Sequence, residues 1–169
     1  DEKAGGLVYT VLTLEDLVAP VDPEKCFDRE EFRSAPSSYR SVFARYARRT
    51  DMLVSCHFWA PGQPVYLDNE LLNDPEMSIR VIGDITCDIK GSILSTVRSS
   101  THDEPFYDFS LKTMDECPAF CDGDTITVMA VDTCKPYSSA FALSVSDTTS
   151  VFVCTVSKLS ATTCSTLSK

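Results

Sequence analysis

Between Arg80 and Ser92 the chain reads "RVIGDITCDIKGS": an apolar run ends on Asp84, and Asp88 follows four residues later, just ahead of Gly91. Open α/β sheets bind their ligands beyond the carboxyl ends of their strands. Two carboxylates placed there could steer a cationic group or favour one that forms during a reaction, because an opposite charge a few ångströms away stabilises it. The same residues also suit turn making, since aspartate side chains accept hydrogen bonds from nearby backbone. A third acid, Asp132, ends the run "TITVMAVD" in the same way.

Four apolar runs would have to position these acids. Residues 6–12, 51–59, 78–85 and 125–132 are rich in β-branched and aromatic side chains, and each predicts a strand. "VAPVDPEKCFD", with its two prolines, predicts a loop. "SSYRSVFARYARR" places Tyr39, Val42, Phe43 and Tyr46 on one face at helical spacing, with Ser37 or Ser38 as the cap. "APGQP" predicts a turn and "DNELLND" a short helix; "DEPFYDF" and "MDECPAFCDGD" predict loops in an irregular stretch from Gly91 to about Asp124. Nearly continuous apolar strands alternating with helices predict an α/β protein with a doubly wound parallel sheet.

Composition narrows the partners. The 169 residues are 43% hydrophobic and 24% charged, enough for one domain with a core. A formal net charge of −10 argues against nucleic acid or an anionic membrane surface, and the basic cluster Arg45, Arg48 and Arg49 reads as the solvated face of a helix. No stretch approaches a membrane span, and "DEKAGG" lacks the layout of a signal peptide, so the expected location is cytoplasmic. The eight cysteines are scattered; Cys56 and Cys87 lie in apolar runs where a thiol acts as a small hydrophobe, and Cys117 with Cys121 has no nearby histidine to complete a metal site. His57 reads as a core histidine, Trp59 as packing or a cleft wall, and Arg98 and Ser99 as loop residues within reach of a ligand. The sequence holds no G-x-G-x-x-G, P-loop or nucleophile elbow.

Five segments, in order, carry a resemblance: "EDLVAPVDPEKCFDREEF", "TDMLVSCHFWAPGQPVYL", "IRVIGDITCDIKGSI", "STVRSSTHDEPFYDF" and "ITVMAVD". From about Val8 to Asp132 the chain resembles the second half of the nucleotide-binding domain of the alanine dehydrogenase and transhydrogenase superfamily. Within it the likeness is to lysine-forming saccharopine dehydrogenases and lysine-ketoglutarate reductases. The resemblance implies part of a Rossmann-like domain, NAD or NADP as cofactor, and a small amino-acid substrate. It assigns Asp88 an orienting or electrostatic role at the nicotinamide ribose and substrate. It places Asp84, Ile85, Asp132 and the backbone of Ser55, His57, Phe58 and Trp59 beside the cofactor. An alanine dehydrogenase would share these acids, and a non-enzymatic α/β module would keep them as turn formers.

Such enzymes carry their acid–base residues and glycine-rich phosphate turn in an amino-terminal half that these residues do not match, so the chain by itself is expected to be inactive. Residues 1–132 read as a partial NAD(P)-binding domain and 133–169 as an atypical tail, dense in Ser and Thr with Asp147 as its one acid. Two readings of the tail compete: a frameshifted end, which the abrupt composition favours, and an extension in which "AFALSV" and "SVFVCTVS" form strands.

Overall fold

The computed structural model describes residues 7–130 and 152–158. The chain begins with β1 (Leu7–Leu12), a single-turn helix α1 (Leu14–Leu17) and β2 (Val18–Pro20). Helix α2 (Arg29–Ser34) follows, then β3 (Tyr39–Ser41), α3 (Ala44–Ala47) and β4 (Met52–Cys56). After α4 (Asn69–Leu72) come β5 (Val81–Asp84), the hairpin of β6 (Tyr107–Ser110) and β7 (Asp115–Cys117), β8 (Thr125–Met129) and β9 (Phe152–Lys158).

Among the described residues, seven strands form one sheet in the order β1-β9-β4-β5-β8-β6-β7, and β2 pairs with β3 apart from it. The fold is α/β, and its central strands β4, β5 and β8 run parallel. The strands outside them pair antiparallel, so the sheet is mixed where the apolar pattern predicts a parallel one. A short connection explains β6 and β7: the chain from Leu111 to Met114 turns back tightly, which only an antiparallel pair permits.

The core lies against one face of the central strands. Leu53 of β4, Ile82 of β5 and Ile126 and Val128 of β8 are buried with Leu17, Ala47, Leu67 and Ile79. The opposite side of β4 and β8 is only half-buried, at Val54, Thr125, Thr127 and Met129. This alternation places Ser55 inward and leaves Cys56 exposed, which corrects its reading as a buried small hydrophobe; Cys87 is half-buried against the core.

The helices span four to six residues, too short to persist alone, and α2 and α4 each draw stability from a capping aspartate. Asp28 accepts the amide of Glu31 at 2.7 Å to open α2, and Asp68 accepts that of Leu71 at 2.8 Å to open α4. Thr13 and Asp16 cap α1 reciprocally. Each such cap contributes about 1 kcal/mol.

The helix expected over 37–49 is not formed as one element. A 3₁₀ turn at Pro36–Ser38 leads into β3, and only Ala44–Ala47 is helical. Tyr39 decides this: its ring packs edge-on to Phe32 at 5.3 Å, and its hydroxyl lies 3.0 Å from the Asp28 carbonyl and accepts the Asp28 amide at 3.1 Å. These contacts, with β3 paired on β2, outweigh the helical spacing, although Tyr39 and Phe43 are still buried. The basic cluster dissolves into local contacts: Arg45 lies over the Tyr46 ring, and Arg48 pairs with Asp74 at 2.7 Å. Among the described residues no helix is long and apolar enough to cross a membrane.

The strand expected at "SVFVCTVS" in one reading of the tail matches β9, which lies between β1 and β4. "AFALSV" lies outside the described residues. "DEPFYDF" was expected as a loop, but Tyr107, Asp108 and Phe109 are buried in β6.

Candidate functional site

Parallel pairing fixes the ends of three strands side by side. Ser55 is in register with Asp84, and Gly83 with Met129, so β4, β5 and β8 finish together. The chain leaving β4 and β5 there carries three exposed apolar side chains: Phe58 at 69%, Ile85 at 56% and Ile89 at 56%.

Asp84 is buried, and its carboxylate is fully engaged. Oδ1 accepts the Thr86 amide at 3.1 Å and the Thr86 hydroxyl at 2.6 Å, while Oδ2 accepts the Thr96 hydroxyl at 2.6 Å. These bonds tighten the turn after β5 and tie it to the segment 91–100. The Asp84 side chain is thus a structural anchor, and its charge acts on neighbours through space.

Asp88 is one such neighbour. It is half-buried, and desolvation together with the Asp84 charge holds its carboxyl above the ordinary carboxylate range. Gly91 sets its surroundings. The Gly91 amide donates to the Asp88 carbonyl at 2.9 Å, and a Cβ on Gly91 would fall 2.6 Å from Asp88 Cβ and 3.3 Å from Trp59 Cε3. Asp88 and Trp59 therefore meet across a residue that must lack a side chain. Two residues of this turn, Cys87 (φ 52°) and Lys90 (φ 53°), adopt the left-handed conformation, which costs non-glycine residues about 1 kcal/mol or more each.

Trp59 is set from its other side by the "APGQ" turn. Gly62 takes φ 95° there, and the indole Nε1 donates to the Pro64 carbonyl at 3.1 Å. Asp84, Asp88 and Trp59 are thus gathered at the strand ends. Asp132 lies outside the described residues.

His57 turns inward. Its Nδ1 lies 2.9 Å from Ser55 Oγ and its Nε2 2.7 Å from Ser92 Oγ, and the Tyr66 ring packs edge-on at 4.9 Å. Burial drives its pKa down to about 4, against the opposing pull of Asp84. The ring is neutral at physiological pH and clamps two serines, as a core histidine does. Burial pushes the Tyr66 phenol up; its hydroxyl, like that of Ser95, finds no hydrogen-bond partner among the described residues.

Segment 91–100 braces the strand ends through small hydroxyl residues. Ser92 holds His57, Thr96 holds Asp84, and the Ser100 hydroxyl accepts the Ala130 amide at 2.9 Å just past β8. Its signal was the density of small hydroxyl residues in "GSILSTVRSS" directly after a strand-end acid. Arg98 is committed elsewhere, paired with Glu116 at 2.9 Å and stacked 4.8 Å from the Tyr107 ring. Among the described residues no group of three histidine, cysteine or acidic side chains is arranged to hold a metal.

No family model matches the chain. Alpha-aminoadipic semialdehyde synthase of Arabidopsis thaliana is 34% identical to it over 126 residues, which is 72% of this chain and 12% of that protein. The resemblance read from the strand ends holds. The chain is similar to one segment of a much longer protein, and spans about an eighth of its length.

Proposed function

We propose that these residues form part of an NAD(P)-dependent oxidoreductase that interconverts saccharopine with lysine and 2-oxoglutarate. The observation that carries the reading is the half-buried Asp88 beside Trp59, where three parallel strands finish together. The likeness to a segment of alpha-aminoadipic semialdehyde synthase supports it.

The residues present fit one end of a dinucleotide. Exposed Phe58, Ile85 and Ile89 offer apolar surface to a flat ring, and Asp88 offers a carboxylate near it. The phosphates find no equivalent, because the sequence has no glycine-rich turn and the described helices, four to six residues long, lack a developed positive end. In this reading the backbone of Ser55, His57, Phe58 and Trp59, with Asp84 and Ile85, borders the nicotinamide, and Asp132 completes the border. NAD or NADP supplies the hydride when bound. Asp88 orients a substrate nitrogen and favours its protonated, more electrophilic imine form through its charge. The apolar rim excludes water.

The test is NADH or NADPH oxidation with lysine plus 2-oxoglutarate by the complete reading frame. Asp88→Asn should lower kcat by about 10²-fold or more with cofactor affinity little changed, the mark of lost electrostatic stabilisation. Unchanged kcat in Asp88→Asn would remove Asp88 from the chemistry. Amination of pyruvate in place of saccharopine formation would assign the alanine-type reaction, and absence of nicotinamide binding a non-enzymatic module.

A further inference from the structure

At the far edge of the sheet, away from the strand ends, two thiols meet. Cys117 closes β7, where its register partner on β6 is Asp108. The amide of Cys121 donates to Oδ2 of that same Asp108 at 3.2 Å. Asp108 is buried and held by the hydroxyls of Thr125 at 3.1 Å and Thr127 at 2.9 Å on β8. Asp108 thus ties both cysteines to the sheet, Cys117 through the strand ladder and Cys121 through its carboxylate, and their Sγ atoms lie 3.0 Å apart.

We propose that Cys117 and Cys121 form a reversible disulfide by exchange with a low-molecular-weight disulfide such as oxidised glutathione. A disulfide needs its sulfurs about 2.0 Å apart, so the pair must close by roughly 1 Å. Both residues are half-buried at the surface, which leaves a small oxidant access. The intervening turn is already made: Phe120 takes the left-handed conformation (φ 58°) and leans its exposed ring on Phe106, with centroids 5.6 Å apart.

The exchange balances. The thiolate of one cysteine attacks the small disulfide, forms a mixed disulfide and expels one small thiolate. The second cysteine's thiolate attacks the protein sulfur of that mixed disulfide and expels the other. The two cysteine protons end on the two released thiols, and the two electrons lost by the protein reduce the oxidant. The bond closes a five-residue ring, Cys117 to Cys121, that forms one wall of a surface cleft of about 770 Å³ shared with Arg98, Phe106 and Tyr107.

The test equilibrates the 169-residue chain with graded ratios of oxidised to reduced glutathione, traps thiols with N-ethylmaleimide and digests with chymotrypsin. Cleavage after Phe120 separates the two cysteines, so their peptides stay together only through the new bond. The joined peptide should grow with the ratio, vanish with dithiothreitol, and give way in Cys121→Ser to a glutathione adduct on Cys117. In the folded chain its formation constant should exceed that in guanidinium by about tenfold or more, the advantage of sulfurs held in contact. Separate alkylated or glutathionylated peptides at every ratio would overturn the proposal, as would equal constants in folded and unfolded chain.

Discussion

Thr96 donates its hydroxyl to the Asp84 carboxylate at 2.6 Å, across twelve residues and out of reach of water. This bond joins the end of β5 to segment 91–100, which in turn holds His57 through Ser92 and the end of β8 through Ser100. The strand ends are therefore cross-braced by side chains as well as by the sheet ladder.

Removing that brace should cost stability directly. Thr96→Val keeps the shape but leaves one carboxylate oxygen buried without its donor, a loss of about 2–3 kcal/mol. Urea denaturation should show a lower midpoint at an unchanged slope; a variant as stable as the wild type would place the Asp84 charge in contact with water.

His57 gives the fold a pH dependence with a definite sign. Its folded pKa of about 4 lies below the ordinary 6.5, so between these values the unfolded chain binds the extra proton. The neutral ring's contribution is complete above about pH 6.5 and is lost as pH falls toward 4, by at most about 3 kcal/mol. Denaturation midpoints across this window should fall more steeply for the wild type than for His57→Gln. Parallel curves would mean that the imidazole is solvated.

Gly91 tests the meeting of Asp88 and Trp59. In Gly91→Ala the new Cβ would lie 2.6 Å from Asp88 Cβ and 2.9 Å from its carbonyl oxygen, so backbone must move. A cost of about 1–3 kcal/mol is expected. Trp59 is the chain's one tryptophan, so its emission reports the displacement without interference from another indole. An unshifted spectrum with wild-type stability would show that the turn yields without effort.

Asp108 accepts three donors from Cys121, Thr125 and Thr127, and its truncation should be the most damaging of these changes. Asp108→Ala strands a half-buried amide and frees two hydroxyls, about 3 kcal/mol or more in sum. Hydrogen exchange at the Cys121 amide should accelerate in step. Retained protection there would mean that another acceptor holds the turn.

The strands at 6–12, 51–59, 78–85 and 125–132 were legible because each is a short apolar run bounded by turn residues, and the structure places β1, β4, β5 and β8 within them. The antiparallel pairing of the outer strands was not, since pairing direction leaves no mark on composition. Tyr39 misled because a side chain spaced for a helix face serves equally well on a strand that packs on Phe27 and Phe32. At the site, Asp84 and Asp88 stood out as acids at a strand end, whereas the division between them, Asp84 braced and Asp88 half-open, depends on Thr86, Thr96 and Gly91. No local pattern announces which of two aspartates a distant hydroxyl will occupy.

The position of β9 bears on how the chain comes to be assembled. Leu7–Leu12 reaches the rest of the sheet through residues 153–158, with Leu12 opposite Val153 and Leu7 opposite Lys158, while the other side of β9 pairs with β4. β1 is synthesised long before β9, which among the described residues is its one neighbour in the main sheet. Contacts so distant in sequence form slowly, and until they form the backbone edge of β4 is open to strands of other molecules. The vulnerable interval of this fold is thus the time between the emergence of β4 and the arrival of the segment that seals it.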